Sequence, residues 1–135
     1  MTMQALCFED AIRLVKEVEK AFATADIESI LAGYAPDIVI RFADFPEIRG
    51  KEEAERFIRA RFARQKDYRL RKTLRMVMGQ MIGNTWEGTW QDTVTGKQMR
   101  GFGTEFWTLR DGKLACWEAA FNVWEEGGNP VTPLL

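Results

Sequence analysis

Apolar residues Phe8, Ala11, Ile12, Val15, Val18 and Phe22 recur every three or four positions with Glu9, Arg13, Lys16, Glu17 and Lys20 between them. That spacing predicts an amphipathic helix over about 8–24. Asp26 can cap a second, short helix carrying Ile27, Ile30 and Leu31, which Gly33 closes. Ile38, Ile40 and Phe42 alternate along a strand before Asp44, Pro46 and Gly50 break the pattern into a loop. From Lys51 to Lys66, Ala54, Phe57, Ile58 and Phe62 mark one face of a third helix. Glu52 with Arg56 and Glu55 with Arg59 support it from the solvent side, with acids early and bases late.

The second half reads as four strands, about 68–78, 81–91, 98–110 and 113–124, joined at Gly79-Gln80, Thr95-Gly96 and Asp111-Gly112. A two-residue turn at Asp111-Gly112 makes Arg110 oppose Lys113. In that register one face carries Phe102, Thr104 and Phe106 with Trp117, Ala119, Phe121 and Val123, and the other carries Gly101, Gly103, Glu105 and Trp107 with Cys116, Glu118 and Ala120. The first set is expected to face the core. On the 81–91 strand, Ile82, Asn84, Trp86 and Trp90 turn inward on the same logic. Helices followed by an antiparallel meander make a single α+β domain over 1–135, with the first and third helices across one face of the sheet.

Composition narrows the chemistry. The chain has no histidine, 19 Lys and Arg against 20 Asp and Glu, and two cysteines, Cys7 and Cys116. The commonest general base, His-containing zinc sites and His-activated nucleophiles are thereby removed, and two thiols make neither a disulfide framework nor a thiolate metal site. Neither a metal nor a cofactor is expected. Residues 56–75 hold nine Lys and Arg against one acid, Asp67. Periodicity scatters those charges over different faces with no base-stacking motif, so nucleic acid is not the expected partner. Glu9 and Asp10 interrupt the apolar stretch a signal peptide needs, and no run has the length of a membrane span, so a cytoplasmic location without membrane association is expected.

Tyr34-Ala35-Pro36-Asp37 after a helix pair, then Arg49-Gly50-Lys51-Glu52-Glu53 opening a helix, resemble the nuclear transport factor 2-like, or SnoaL-like, superfamily over nearly the whole chain. Asp67-Tyr68-Arg69-Leu70, Trp90-Gln91-Asp92, Gly103-Thr104-Glu105-Phe106-Trp107 and Asn122 are most similar to a bacterial subgroup of unknown function. The resemblance implies a cone-shaped roll of three N-terminal helices on a curved, mostly antiparallel sheet, with any chemistry in the cavity between the layers. It also implies what is missing. The positions of the ketosteroid isomerase branch's oxyanion tyrosine, general-base aspartate and protonated aspartic acid fall here at Val18, Phe42 and Thr104, and only a supporting phenol has a match, in Tyr34. The dehydratase and cyclase branches lean on histidine, so no family mechanism carries over directly.

The residues themselves offer a small-molecule site. Trp86, Trp90, Phe102, Trp117 and Phe121 are expected to line an aromatic hollow, with Asn84 and Thr104 as polar anchors and Arg100 near its rim. Any one of these rings is explained as well by packing. Asn84 says more, because a buried amide without partners costs about 1–3 kcal/mol. Asp44, where the first strand leaves the sheet, is the candidate base with Tyr34 as its partner, although turn chemistry also accounts for an Asp there. Glu105, Glu118, Arg71, Trp107 and Trp124 fall on the outer sheet face and point to a homodimer through it. Two functions stay open: an enzyme of isomerase, lyase or hydrolase type acting on an apolar or aromatic small molecule, and a non-catalytic homodimeric ligand-binding or protein-interaction module.

Overall fold

A computed structural model describes residues 5–129. Three helices form where the apolar spacing places them: α1 (Phe8–Ala23), α2 (Ile27–Ala32) and α3 (Gly50–Arg64). The Asp26 carboxylate accepts from the Ser29 amide at 3.2 Å and fixes the start of α2. Glu52 and Glu55 hold Arg56 and Arg59 at 3.2 and 3.0 Å along the solvent side of α3. The strands are β1 (Tyr34–Phe42), β2 (Ile48–Arg49), β3 (Gln65–Met78), β4 (Met81–Asp92), β5 (Gln98–Arg110) and β6 (Lys113–Glu125).

They join in one open, mixed sheet of order β2-β1-β6-β5-β4-β3, in which β1 runs parallel to β6 and every other pair is antiparallel. Two departures from the sequence reading concern β1 and its neighbour. β1 begins at Tyr34, not near Asp37, because Tyr34 pairs with Leu114 before the register shifts ahead of Val39. The expected loop after β1 contains β2, since Arg49 and Ile48 pair back on Val39 and Ile40. α1 packs across β3 and α3 across β1, so the helices cover one sheet face and enclose a core that includes Ile38, Ile40, Ile58, Ile82 and Trp107. This is an α+β fold with three helices on a mixed sheet, as the helix and strand periods required. Among the described residues no helix is long and apolar enough to cross a membrane.

One correction changes what faces the helices. Asp111 and Gly112 both have positive φ (52° and 74°), and Arg110 pairs with Lys113 as expected for a two-residue turn. The register then slips: Leu109 pairs with Leu114 but Thr108 pairs with Cys116, leaving Ala115 as an unpaired extra residue. A bulge of this kind reverses the alternation of one strand relative to the other. On β6 the inward set is Leu114, Trp117 and Ala119. On β5 it is Gly101, Gly103, Glu105, Trp107 and Leu109, whereas Phe102, Thr104 and Phe106 are exposed. Phe102 and Thr104 are therefore not in the cavity, Glu105 and Trp107 are not on the outer face, and Glu105 opposes Ala119, not Glu118.

Candidate functional site

Between α1, α2 and the inner sheet face lies a cavity of about 420 Å³, walled by Leu14, Val18 and Phe22 from α1, Ile30 from α2, and Tyr34, Lys72, Trp107 and Trp117 from the sheet. A smaller space of about 40 Å³ under α3 shares Phe22, Lys72 and Trp117 with it. Glycines on β5 make room for the rings of the neighbouring strands. A Cβ on Gly101 would come within 3.0 Å of the Trp86 ring, and one on Gly103 within 2.5 Å of the Ala120 carbonyl oxygen and the Phe121 Cβ. Large rings on β4 and β6 are accommodated because the neighbouring inward positions on β5 have no side chain.

Lys72 stands on the wall of both spaces. It shares the face of Leu70 and Leu74 on β3, two residues away on either side, which sends its side chain inward. Its ammonium meets the two carboxylate oxygens of Glu105 at 2.5 and 3.0 Å, with only 6% of the Lys72 side chain and 1% of the Glu105 side chain exposed. The ammonium also lies 5.7 Å from the Trp107 ring centre and 5.8 Å from that of Phe22, so rings and a carboxylate together replace its water. The Lys72 backbone amide donates to a Glu19 carboxylate oxygen at 2.7 Å and ties β3 to α1.

Among the described residues, four polar atoms on this side of the sheet are buried without a hydrogen-bond partner: the Tyr34 hydroxyl, both amide atoms of Asn84, and the Trp117 indole nitrogen. Such atoms are rare in native interiors, and each costs about 1–3 kcal/mol. Tyr34 and Trp117 line the larger cavity. Asn84 sits opposite Glu105 across the β4–β5 pair. Burial, reinforced by the negative charge of Glu105, pushes the Tyr34 phenol far above its ordinary range. It stays a neutral hydrogen-bond donor at physiological pH.

Under α3, Tyr68 stacks edge-on against Trp90, and burial raises its phenol to about 12. Arg61 lies over Phe42 and Trp90. At the far end of α3, Arg64 grips both carboxylate oxygens of Asp92 at 2.8 and 2.9 Å. That grip, with the Thr95 hydroxyl, holds the Asp92 carboxyl well below the usual carboxylate range.

Of the residues singled out from sequence, Tyr34, Asn84, Trp86, Trp90 and Trp117 are buried on the inner side. Phe121 packs there against Phe42 and Trp86. Arg100, Phe102 and Thr104 are exposed on the opposite face, because the bulge at Ala115 inverts β5. Asp44 is exposed in the turn after β1 and lines neither space, so the structure does not bring it to Tyr34. Arg71 is exposed near Glu87 at 3.7 Å, Glu118 binds Arg41 at 3.2 Å on the outer side, and Trp124 pairs with Arg100 there.

Sequence reasoning missed Lys72 and misplaced Glu105. A signal for each was present: Lys72 interrupts the apolar stripe of Leu70 and Leu74 at period two, and Leu114 and Trp117, three apart on one strand, can both face inward only if an extra residue lies between them. Among the described residues no group of three or more His, Cys, Asp or Glu is placed to hold a metal ion, and both cysteines are unbonded.

No curated protein matches the chain in sequence. Solved structures do match in fold. An LEH-like epoxide hydrolase of M. tuberculosis superposes with a TM-score of 0.69 at 18% identity, over 83% of this chain and 82% of that one. An NTF2-like protein of unknown function from Burkholderia pseudomallei gives 0.74 at 21% identity, over 83% and 90%. The epoxide hydrolase/cyclase-like enzyme SalBIII, with a role in pyran ring formation in the polyether salinomycin, gives 0.77 at 10% identity, over 87% and 96%. The cone and its helices have the fold of solved NTF2-like and SnoaL-like proteins. Within that fold the model of one family, described as a protein of unknown function (DUF1348), matches residues 5–125, and the chain belongs to it.

Proposed function

We propose that the protein is an enzyme of isomerase, lyase or hydrolase type that acts on an apolar small molecule by stabilising negative charge as it develops on a carbonyl or epoxide oxygen. The observation that carries this reading is the Lys72–Glu105 pair, almost fully buried and presented by Lys72 to the cavity wall. A preorganised ammonium in a water-poor, ring-lined space acts far more strongly on a developing oxyanion than it would in water. Glu105 positions that ammonium through both of its carboxylate oxygens. The Tyr34 phenol, neutral and unpartnered, supplies a second donor from β1, and the indole N–H of Trp117 a third from β6. The Val18, Phe22 and Ile30 side chains give an apolar substrate its burial. Similarity in fold to an epoxide hydrolase and to an epoxide hydrolase/cyclase-like enzyme supports a ring-opening or ring-closing reaction at oxygen.

The test is turnover of small cyclic epoxides and of small cyclic enones, followed by product formation and by uptake of solvent deuterium next to the carbonyl. Lys72→Met is expected to lower the rate about 10²–10³-fold and Tyr34→Phe about tenfold or more. Folded variants with wild-type rates would overturn the assignment. Compounds that bind but are never turned over by the wild type would favour a non-catalytic binding module. The outer sheet face, with Phe102, Phe106 and Met76 exposed between Arg71, Glu118 and Trp124, is the face proposed for contact with a second copy.

A further inference from the structure

Arg61 is the arginine the ion-pair pattern leaves out. Among the described residues, Arg13, Arg41, Arg49, Arg56, Arg59, Arg64, Arg71 and Arg110 each meet a carboxylate. Arg69, Arg75 and Arg100 have no such partner but are exposed to water. Arg61 alone is drawn partly inside with none. Its guanidinium carbon lies 5.4 Å from the Phe42 ring centre and 5.9 Å from that of Trp90. Asp92, an acid that acts on it electrostatically, is already held in both oxygens by Arg64. The neighbouring Tyr68 hydroxyl keeps its proton and so offers a donor, not a countercharge. Burial works against the Arg61 cation, yet a guanidinium keeps its charge in proteins. None of its nitrogens is a buried atom lacking a partner, so the N–H fork of this half-buried side chain is open to water or to a ligand.

The side chain borders the smaller space under α3, of about 40 Å³. At roughly 10–15 Å³ per water-sized atom, that volume holds about three heavy atoms, the size of a carboxylate. Of the two cations that line it, Lys72 is paired with Glu105 and Arg61 has no carboxylate partner. Phe22, Lys72 and Trp117 form the wall common to this space and the larger cavity.

We infer that Arg61 is the anchor for the carboxylate of a small organic acid, whose apolar body extends past Phe22 and Trp117 into the larger cavity beside Lys72. This names a substrate class for the reading above and rests on it only for the catalytic step, not for binding. A carboxylate in the fork of Arg61 makes charge-assisted, geometrically matched hydrogen bonds beside the Phe42 and Trp90 rings. The aromatic walls then select an aromatic or alkyl chain over a polar one.

The experiment compares phenylacetate and hexanoate with phenylacetamide and hexanamide, by calorimetry and by intrinsic tryptophan fluorescence. Wild type is expected to bind each acid about ten- to a hundredfold more tightly than its amide. Arg61→Met, which keeps the stem over the rings, is expected to bring acid and amide within about twofold while far-ultraviolet circular dichroism is unchanged. Arg61→Gln replaces it should the Met variant not fold. Lys72→Met is expected to lose turnover and keep the preference for acids, which separates failure of this inference from failure of the catalytic one. The inference is overturned if amides bind the wild type as well as acids, if no acid binds up to about 10 mM, if the preference survives in the Arg61 variants, or if it disappears in Lys72→Met.

Discussion

The two faces of β5 are opposite in a way that residue type alone would reverse. Its outer face carries Phe102 and Phe106, 53% and 42% exposed, with Arg100 and Thr104. Its inner face carries two glycines, a glutamate 1% exposed, Trp107 and Leu109. Ordinary partition would bury the phenylalanines and hydrate the glutamate. The inversion is maintained because the inner face has other partners. Trp86, Trp90 and Phe121 need the space left by Gly101 and Gly103, and Lys72 needs a carboxylate. The difference teaches that a cavity-forming strand is read by what its neighbours require, not by its own hydropathy.

The largest effect should come from breaking the buried charge. Glu105→Leu leaves the Lys72 ammonium unpaired in the interior and is expected to cost about 3–5 kcal/mol in urea unfolding. Lys72→Met combined with Glu105→Leu should recover most of that loss while leaving the protein inactive, because a buried ion pair contributes little net stability against apolar groups of similar size. If the double variant is no more stable than Glu105→Leu alone, the pair is not what governs this face.

A middle effect is expected from filling the space on the same face. Gly103→Ala places a methyl 2.5 Å from the Ala120 carbonyl oxygen and should cost about 1–3 kcal/mol through forced backbone movement. Its outward neighbour Thr104→Ala should stay within about 0.5 kcal/mol. Equal losses at the two positions would mean that β5 has no distinct inner and outer sides energetically.

The smallest change in stability and the clearest change in assembly belong to the outer face. Phe102→Ser with Phe106→Ser removes two exposed rings, so the monomer should unfold within about 1 kcal/mol of wild type. Sedimentation should shift from dimer to monomer if this surface holds a second copy. A wild type that sediments as a monomer at all concentrations would leave the outer rings without that role.

Much of the architecture was legible before any tertiary information. The helix faces of Ala11-Val15 and Ala54-Ile58, the cap at Asp26, the turn at Asp111-Gly112 and the inward set Ile82, Asn84, Trp86 and Trp90 all follow from local periods and side-chain chemistry. The site was legible only in part. Tyr34, Asn84 and Trp117 could be named because a phenol, an amide and an indole among apolar neighbours stand out in any strand reading. Lys72 was hidden in a run of basic residues where charge count drew more notice than parity. Arg61 was hidden in the same run, one helical turn after Phe57 on the covered side of α3. Asp44 drew attention by its place at a strand end, but the turn around it leaves it in solvent.

The sequence by itself determined which residues travel together: period two divides β5 into Phe102, Thr104 and Phe106 against Gly103, Glu105 and Trp107, and nothing in the structure breaks up either group. Only the tertiary structure decided which group faces the helices. One unpaired residue, Ala115, shifts the β5–β6 register by a single step, and in a strand a single step exchanges inside for outside. Alternation is a local property of the backbone. Orientation belongs to the sheet, where glycine gaps, large rings and an opposite charge on neighbouring strands must all be matched at once.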